Sequence, residues 1–385
     1  MPVLSSLQGI GVYSHNIPFP TNGAYVNSPM ANFNPVYMNQ WNLSIQRQVG
    51  KDWLVSANYV GNNTIHMISG EQTNPALFLG LGPCTLPTAT GSASYPVCST
   101  TANAQNRRLY SLVNPAQGQY YGLIGSIDDG GTGSYEGLYL SAQKRLSRGV
   151  TAQANYTWSH CISDPYNENP GNGGVAPYNN RRQWRSNCTG IDLRQQIVVN
   201  VVATTPKFSN RLLKMVASDW QFAPMMMIKS AQEFTVLSGT DQALSTVNNQ
   251  TPNLVSNNPY PSNQSVDNWI SRSAFATAAP GTYGNLGYNN LKGPGVFQFN
   301  MALSRNFTLR EKKALQLRAE AFNLPNHLNP FSPGVPPINA SGLSKGGNVA
   351  LTAPNFGQIT SDISGNNGLL PGDYRVIQLA MKFVF

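Results

Sequence analysis

The chain has 385 residues, a formal net charge of +9 and only 11% charged side chains, against about 25% in ordinary soluble proteins. That length suggests two domains or one large all-β unit, and no run reaches the ~18 apolar residues that a membrane helix needs. Basic residues are dispersed or paired (Arg107-Arg108, Arg181-Arg182, Lys312-Lys313) without a nucleic-acid motif beside them, which argues against a nucleic-acid partner.

The opening stretch "MPVLSSLQGIGVYSHNIPFP" has neither a basic start nor a continuous apolar core, so it does not read as a secretory signal peptide. Residues 1–40 read as an irregular exterior segment, and 41–385 as the sheet-forming part. In that part nine strand-like stretches recur, and most of them alternate apolar and polar residues, the period of a strand with one wet face. Trp41, Leu43 and Ile45 oppose Asn42, Ser44 and Gln46; Trp53, Val55, Ala57 and Tyr59 oppose Ser56 and Asn58. Leu138, Leu140 and Ala142 share a face, as do Ala152, Ala154, Tyr156 and Trp158. Stretches beginning at Arg194 and Trp220 come next, followed by one with Phe297, Phe299, Met301 and Leu303 on one side. The last two carry Leu315, Leu317, Ala319 and Ala321, then Ile377, Leu379, Met381, Phe383 and Phe385.

The connections alternate in length. Short turns follow the first, third, fifth and seventh stretches (Gly50-Lys51, Ser147–Gly149, Pro206–Asp219, Thr308–Lys313). Long Gly/Pro/Asn-rich loops, about 62–133, 161–193, 231–296 and 323–373, follow the others. Aromatics sit near strand ends: Trp41, Trp53, Trp158, Trp220, Phe307 and Phe385. These features predict an all-β, antiparallel transmembrane β-barrel, partial at about nine strands, with long extracellular loops and short periplasmic turns. The rival architecture is a surface-exposed β-rich binding module, adhesin- or lectin-like, without transport.

Cys84 and Cys98 fall in the first long loop, and Cys161 and Cys188 bracket the second, so the even count reads as two loop-stapling disulfides. No two cysteines have the spacing of a metal knuckle, and no HExxH, GxSxG or phosphate-loop motif occurs. No catalytic residue, metal ligand or cofactor is assigned. "SIDDGGTGS" (Ser126–Ser134) reads as a plain turn, because Asp128 and Asp129 are too few for a calcium loop. Arg318 and Glu320 share a polar strand face. "YNNRRQWRSNC" is the best candidate ligand site: Arg181, Arg182 and Arg185 could fork onto carboxylate or phosphate, with Trp184 stacking on a ring. "NQTPNLVSNNPYPSNQS" reads as a loosely packed loop.

"NWISRSAFATAAPGTYGNLGYNNLKGPGVFQFNMALSRNF", "LQLRAEAFNLPNHLNPF", "FGQI", "NQWNLSIQRQVGKDWLVSANYVGN", "ANYTWSHCISD" and the final "IQLAMKFVF" resemble the C-terminal barrel of Oar-like TonB-dependent receptors. The resemblance runs from about Asn34 onward and implies an outer-membrane receptor or transporter, not an enzyme, that takes up or binds a ligand at the cell surface. It also implies that the terminal strand, with Phe383 and Phe385, carries the insertion signal read by the barrel-assembly machinery. The implied partners are outer-membrane lipid and, only through an N-terminal plug region with no match here, TonB. The expectation is therefore the last portion of a longer receptor.

Overall fold

The computed structural model describes residues 20–29, 32–164, 181–188, 192–247, 250–310, 313–334, 348–363 and 374–384. Nine strands in chain order make the main sheet: β1 Tyr37–Val49, β2 Trp53–Gln72, β3 Tyr121–Ser147, β4 Val150–Ser163, β5 Gln195–Thr204, β6 Trp220–Lys229, β7 Val296–Arg310, β8 Lys313–Phe322 and β9 Val376–Val384. Each pairs antiparallel with the next in sequence. Two short strands join at the side, Gly23–Pro29 running parallel to β3 and Ser186–Asn187 antiparallel to β4. Phe385 lies outside the described residues.

Because side chains alternate strictly, one slip of register would mix the faces. The register does not slip within the body of the sheet. Ile45, Ala57, Leu140, Tyr156, Ile197, Ile228 and Phe297 stand opposite one another in a single row across seven strands. The adjacent row is Gln46, Ser56, Ser141, Asn155, Val198, Met227 and Gln298, on the other face. At the far edge Phe222, Leu303, Ala319 and Leu379 align, beside Gln221, Ser304, Arg318 and Ala380. Arg318 and Glu320 form an ion pair on the polar face. That face turns apolar around Val198, Met225 and Met227, as "IVVNVVA" and "MMM" dictate.

Strands β2 and β3 extend well past the alternating stretches, to Gln72 and back to Tyr121. The first long loop is correspondingly shorter than 62–133, and Ser126–Ser134 is strand rather than turn. Its glycines read locally as turn residues, yet they are required by packing: a Cβ on Gly131 would lie 2.7 Å from the Met67 carbonyl oxygen. The bulge that accommodates this crowding centres on His66, which has φ of 59°. The first strand likewise begins at Tyr37, upstream of Trp41.

All the long connections leave the same end of the sheet, and the described parts of two of them fold together. Strand Glu233–Leu237 pairs with Leu291–Lys292 and with Asn348–Ala350, and Asn253–Leu254 pairs with Phe275–Ala276. Between these pieces lies a separate core of Phe234, Val236, Ile270, Phe275, Leu286, Val349 and Phe356. Arg272 stacks on Phe356 and donates to the Leu351 carbonyl. Residues 250–254, with Pro259 and Tyr260, are therefore packed, not loose, while 262–265 are exposed. Leu254 and Tyr260 reach the core, while Thr251 donates to the Leu286 carbonyl at 2.7 Å. Truncating Phe234, which is 0% exposed, to alanine is expected to cost about 3–5 kcal/mol. The readout is earlier proteolysis of the loop cap at unchanged sheet content.

The first loop is tied to this cap by the fully buried Arg107. It donates to the carbonyls of Leu77, Thr100 (2.8 Å) and Leu244 (2.9 Å) and to Asn103 Oδ1 (3.0 Å). Burial pushes the Arg107 guanidinium below its usual pKa and Arg108 down to about 10.

Candidate functional site

The arginine segment is held down at its C-terminal end. Disulfides join Cys161 to Cys188 and Cys84 to Cys98. Arg181–Trp184 forms a 3-10 turn, and Ser186–Asn187 adds to β4. Each described guanidinium then meets an acid. Arg181 pairs with Asp128 and, at 3.4 Å, with Glu71. Arg182 and Arg185 converge on Asp164, at 3.2 and 2.9 Å, and both donate to Thr132 Oγ1. The Asp164 side chain is 0% exposed and also accepts from the Thr132 amide at 3.1 Å. A Cβ on Gly130 would sit 1.7 Å from an Arg181 nitrogen, so glycine there makes room for the guanidinium. Asp128 and Asp129 thus serve as protein partners. The Asn34 backbone amide and side chain both donate to Asp129 at 2.7 Å, which holds its carboxyl below the usual range.

The sequence placed the three arginines in one loop, and the structure brings them to one wall. It leaves them unequal, with side chains 17%, 64% and 32% exposed for Arg181, Arg182 and Arg185. Residues 178–180 of the quoted motif lie outside the described residues. Cys161–Cys188 closes a loop of sequence separation 27, for which chain entropy gives about 3.5 kcal/mol. Reduction is expected to open this segment to protease before the sheet yields.

A second cluster, where the loop cap meets the sheet, had no sequence signal because its members come from four separate stretches. Arg194 pairs with Asp192 at 3.0 Å and approaches Glu233 at 3.9 Å. Asn187 and Asn289 exchange side-chain-to-carbonyl bonds at 3.0 and 2.9 Å, and His160 meets Asn187 at 3.2 Å. Burial and then Asp192 push Glu233 up to about 7, against opposing effects of Asn187, Arg194 and Lys292. A carboxyl raised from 4.5 stabilises the folded cap fully below that pH, and its contribution fades as pH rises through about 7. Relative to its intrinsic pH dependence, hydrogen exchange around Glu233 is expected to quicken from about pH 4.5 to about 7, the interval between the ordinary and the raised value, and Glu233→Gln to flatten the trend.

A shallow cavity of about 570 Å³ lies over β1–β5, on the apolar face, floored by Ala57, Ala142 and Ala154 and walled by Ile45, Leu140 and Tyr156. Among the described residues no three His, Cys, Asp or Glu side chains gather as a metal site. The arrangement staples the second long loop to the sheet through a disulfide and ion pairs.

The model of the outer membrane beta barrel domain family matches residues 5–378. The chain belongs to this family. It is an outer-membrane β-barrel protein, and in such barrels the apolar face turns to lipid and the polar face to the lumen. The outer membrane transporter YddB from Escherichia coli aligns over 94% of this chain and 35% of its own, at TM-score 0.43 and 11% identity. Copper transporter OprC aligns over 92% and 32%, at TM-score 0.37 and 10% identity. The chain spans about a third of the length of these two transporters. No curated protein matches it.

Proposed function

We propose that this chain supplies wall and outer cap to an Oar-like TonB-dependent receptor, which binds or takes up a ligand at the cell surface. The observation that carries the reading is the nine-strand register: one apolar face, one polar face, and every long connection at one end, where the described parts of two fold into a cap. Outer-membrane lipid is the partner of the apolar face. On β3 the stretch from Lys144 to Glu136, both on that face, is about 26 Å along the strand at ~3.3 Å per residue. A barrel tilt of ~40° reduces it to about 20 Å, near the ~25 Å apolar band of such barrels.

Strands β1 and β9 each have one neighbour in the sheet, and an unpaired edge in lipid costs several kcal/mol per group. Further strands close the barrel in this reading, TonB acts through a plug region, and the barrel-assembly machinery reads β9 with Phe383 and Phe385. Arg182, the most exposed guanidinium of its segment, is the residue offered to an anionic ligand. A packed cap also suits the second reading, a surface binding module without transport.

Depletion of compounds from the growth medium separates the two. Cells with the gene are expected to deplete a compound that cells lacking it leave, and only when TonB is present. Depletion that persists unchanged without TonB would overturn the receptor reading.

A further inference from the structure

The connection between β5 and β6 is the longest of the short-turn side, and it carries a helix, α1 (Arg211–Ala217). Asn210 starts it, its side chain accepting from the amides of Leu212 (2.9 Å) and Leu213 (3.3 Å). The other end is fastened to the sheet. Trp220 Nε1 donates to the Val216 carbonyl at 2.7 Å, and Arg305 donates to the carbonyls of Lys214, Met215 and Val216. Arg305 in turn lies over the rings of Trp220 and Phe307, at 5.4 and 4.6 Å. A cation on the last carbonyls of a helix also suits its dipole.

The anchors fix where the helix sits. Trp220, Arg305 and Leu317 stand in one register row, and that row belongs to the apolar face. The helix is therefore tethered on the outside of the sheet, at the short-turn rim. Leu212, Leu213, Met215 and Val216 are nevertheless 69%, 51%, 64% and 63% exposed. At ~100° per residue these four occupy an arc of about 160°, with Arg211 and Lys214 on the remainder. An apolar arc continuous with the outer face, basic residues opposite, and a tryptophan at the junction are the marks of a helix lying in a membrane interface.

We propose that α1 is an in-plane lipid anchor: its apolar arc enters the leaflet at the short-turn rim, and Arg211 and Lys214 meet lipid phosphates. The inference rests on the reading of the apolar face as the lipid face and adds a second mode of membrane contact to it. It assigns the exposed leucines an occupant that the wall alone does not need.

The test reconstitutes the full chain in phosphatidylethanolamine–phosphatidylglycerol vesicles with single bimane-labelled cysteines at Leu212→Cys, Met215→Cys, Lys214→Cys and, on the wall, Val199→Cys. Brominated phospholipid is then compared with aqueous iodide as quencher. Labels at 212, 215 and 199 are expected to lose most of their fluorescence to brominated lipid, and the label at 214 to iodide. Lipid quenching at 199 with iodide quenching at 212 and 215 would put the helix in water and overturn the anchor alone. Quenching of 212 and 215 by neither reagent would mean a protein cover, and also overturns it. Loss of lipid quenching at 199 as well would bring down the wall reading with it.

Discussion

Replacing Asp164 with alanine is expected to destabilise the outer end of the sheet by about 1.5–3 kcal/mol, the loss of charged hydrogen bonds to a buried carboxylate whose arginine partners stay partly open to water. Asp164 is fully buried and is the shared acid of Arg182 and Arg185, while also accepting from Thr132. Without it two guanidiniums face each other with one threonine hydroxyl between them. Asp164→Asn keeps the shape and the amide bond but removes the charge, so an intermediate loss is expected. Trypsin cleavage after Arg182 or Arg185, followed alongside thermal unfolding, reads both variants. Unchanged cleavage in Asp164→Ala would show that the disulfide and the Ser186–Asn187 pairing hold the segment alone.

The second large effect belongs to the wall. Val199 lies mid-strand in the row of Ala154, Met226 and Phe299 on the apolar face, and its neighbour Asn200 lies with Gln153, Met225 and Asn300 on the other. Val199→Arg is expected to cost about 2–4 kcal/mol, the penalty for arginine near the bilayer midplane of a barrel. Asn200→Arg, one residue away, is expected to be tolerated, because it faces the lumen in a row shared with Gln153 and Asn300. The amount of chain in the outer-membrane fraction, at equal expression, compares them. Equal loss in both variants would mean that neither face is lipid.

The strands were legible because alternation is forced by physics: a strand with one apolar and one wet face writes a period of two into the sequence. All nine strand-like stretches, the mixed ones included, are strands of one sheet. Legibility stopped where the two-sided environment stops. Beyond the apolar band, β3 runs through Ile127–Gly133, whose Asp and Gly residues carry turn chemistry but are held extended by the ladder to β2. The cap was hidden for a related reason. Phe234, Ile270, Phe275 and Val349 sit in short apolar stretches (Phe234–Leu237, Trp269-Ile270, Ala274–Ala276, Val349–Leu351) far apart in the chain, each too short to show a period that would link them. At the arginine segment the charges were visible and their partners were not. Asp128, Glu71 and Asp164 lie in other strands or at their ends, so a row of arginines read as available for ligand is largely committed within the protein. Glu233 gave no sign at all, since its environment is assembled from residues as far apart as Asn187 and Lys292.

The division of the sheet into a lipid face and a lumen face is tested most directly by nitroxide accessibility along β5. Single labels at each position from Ile197 to Val202, in the chain reconstituted into lipid bilayers, are exposed in turn to oxygen and to a water-soluble nickel chelate. Accessibility is expected to alternate with period two, oxygen favoured at Ile197, Val199 and Val201 and the chelate at Val198, Asn200 and Val202. A flat profile, or one with the phase reversed, would contradict the assignment of the two faces.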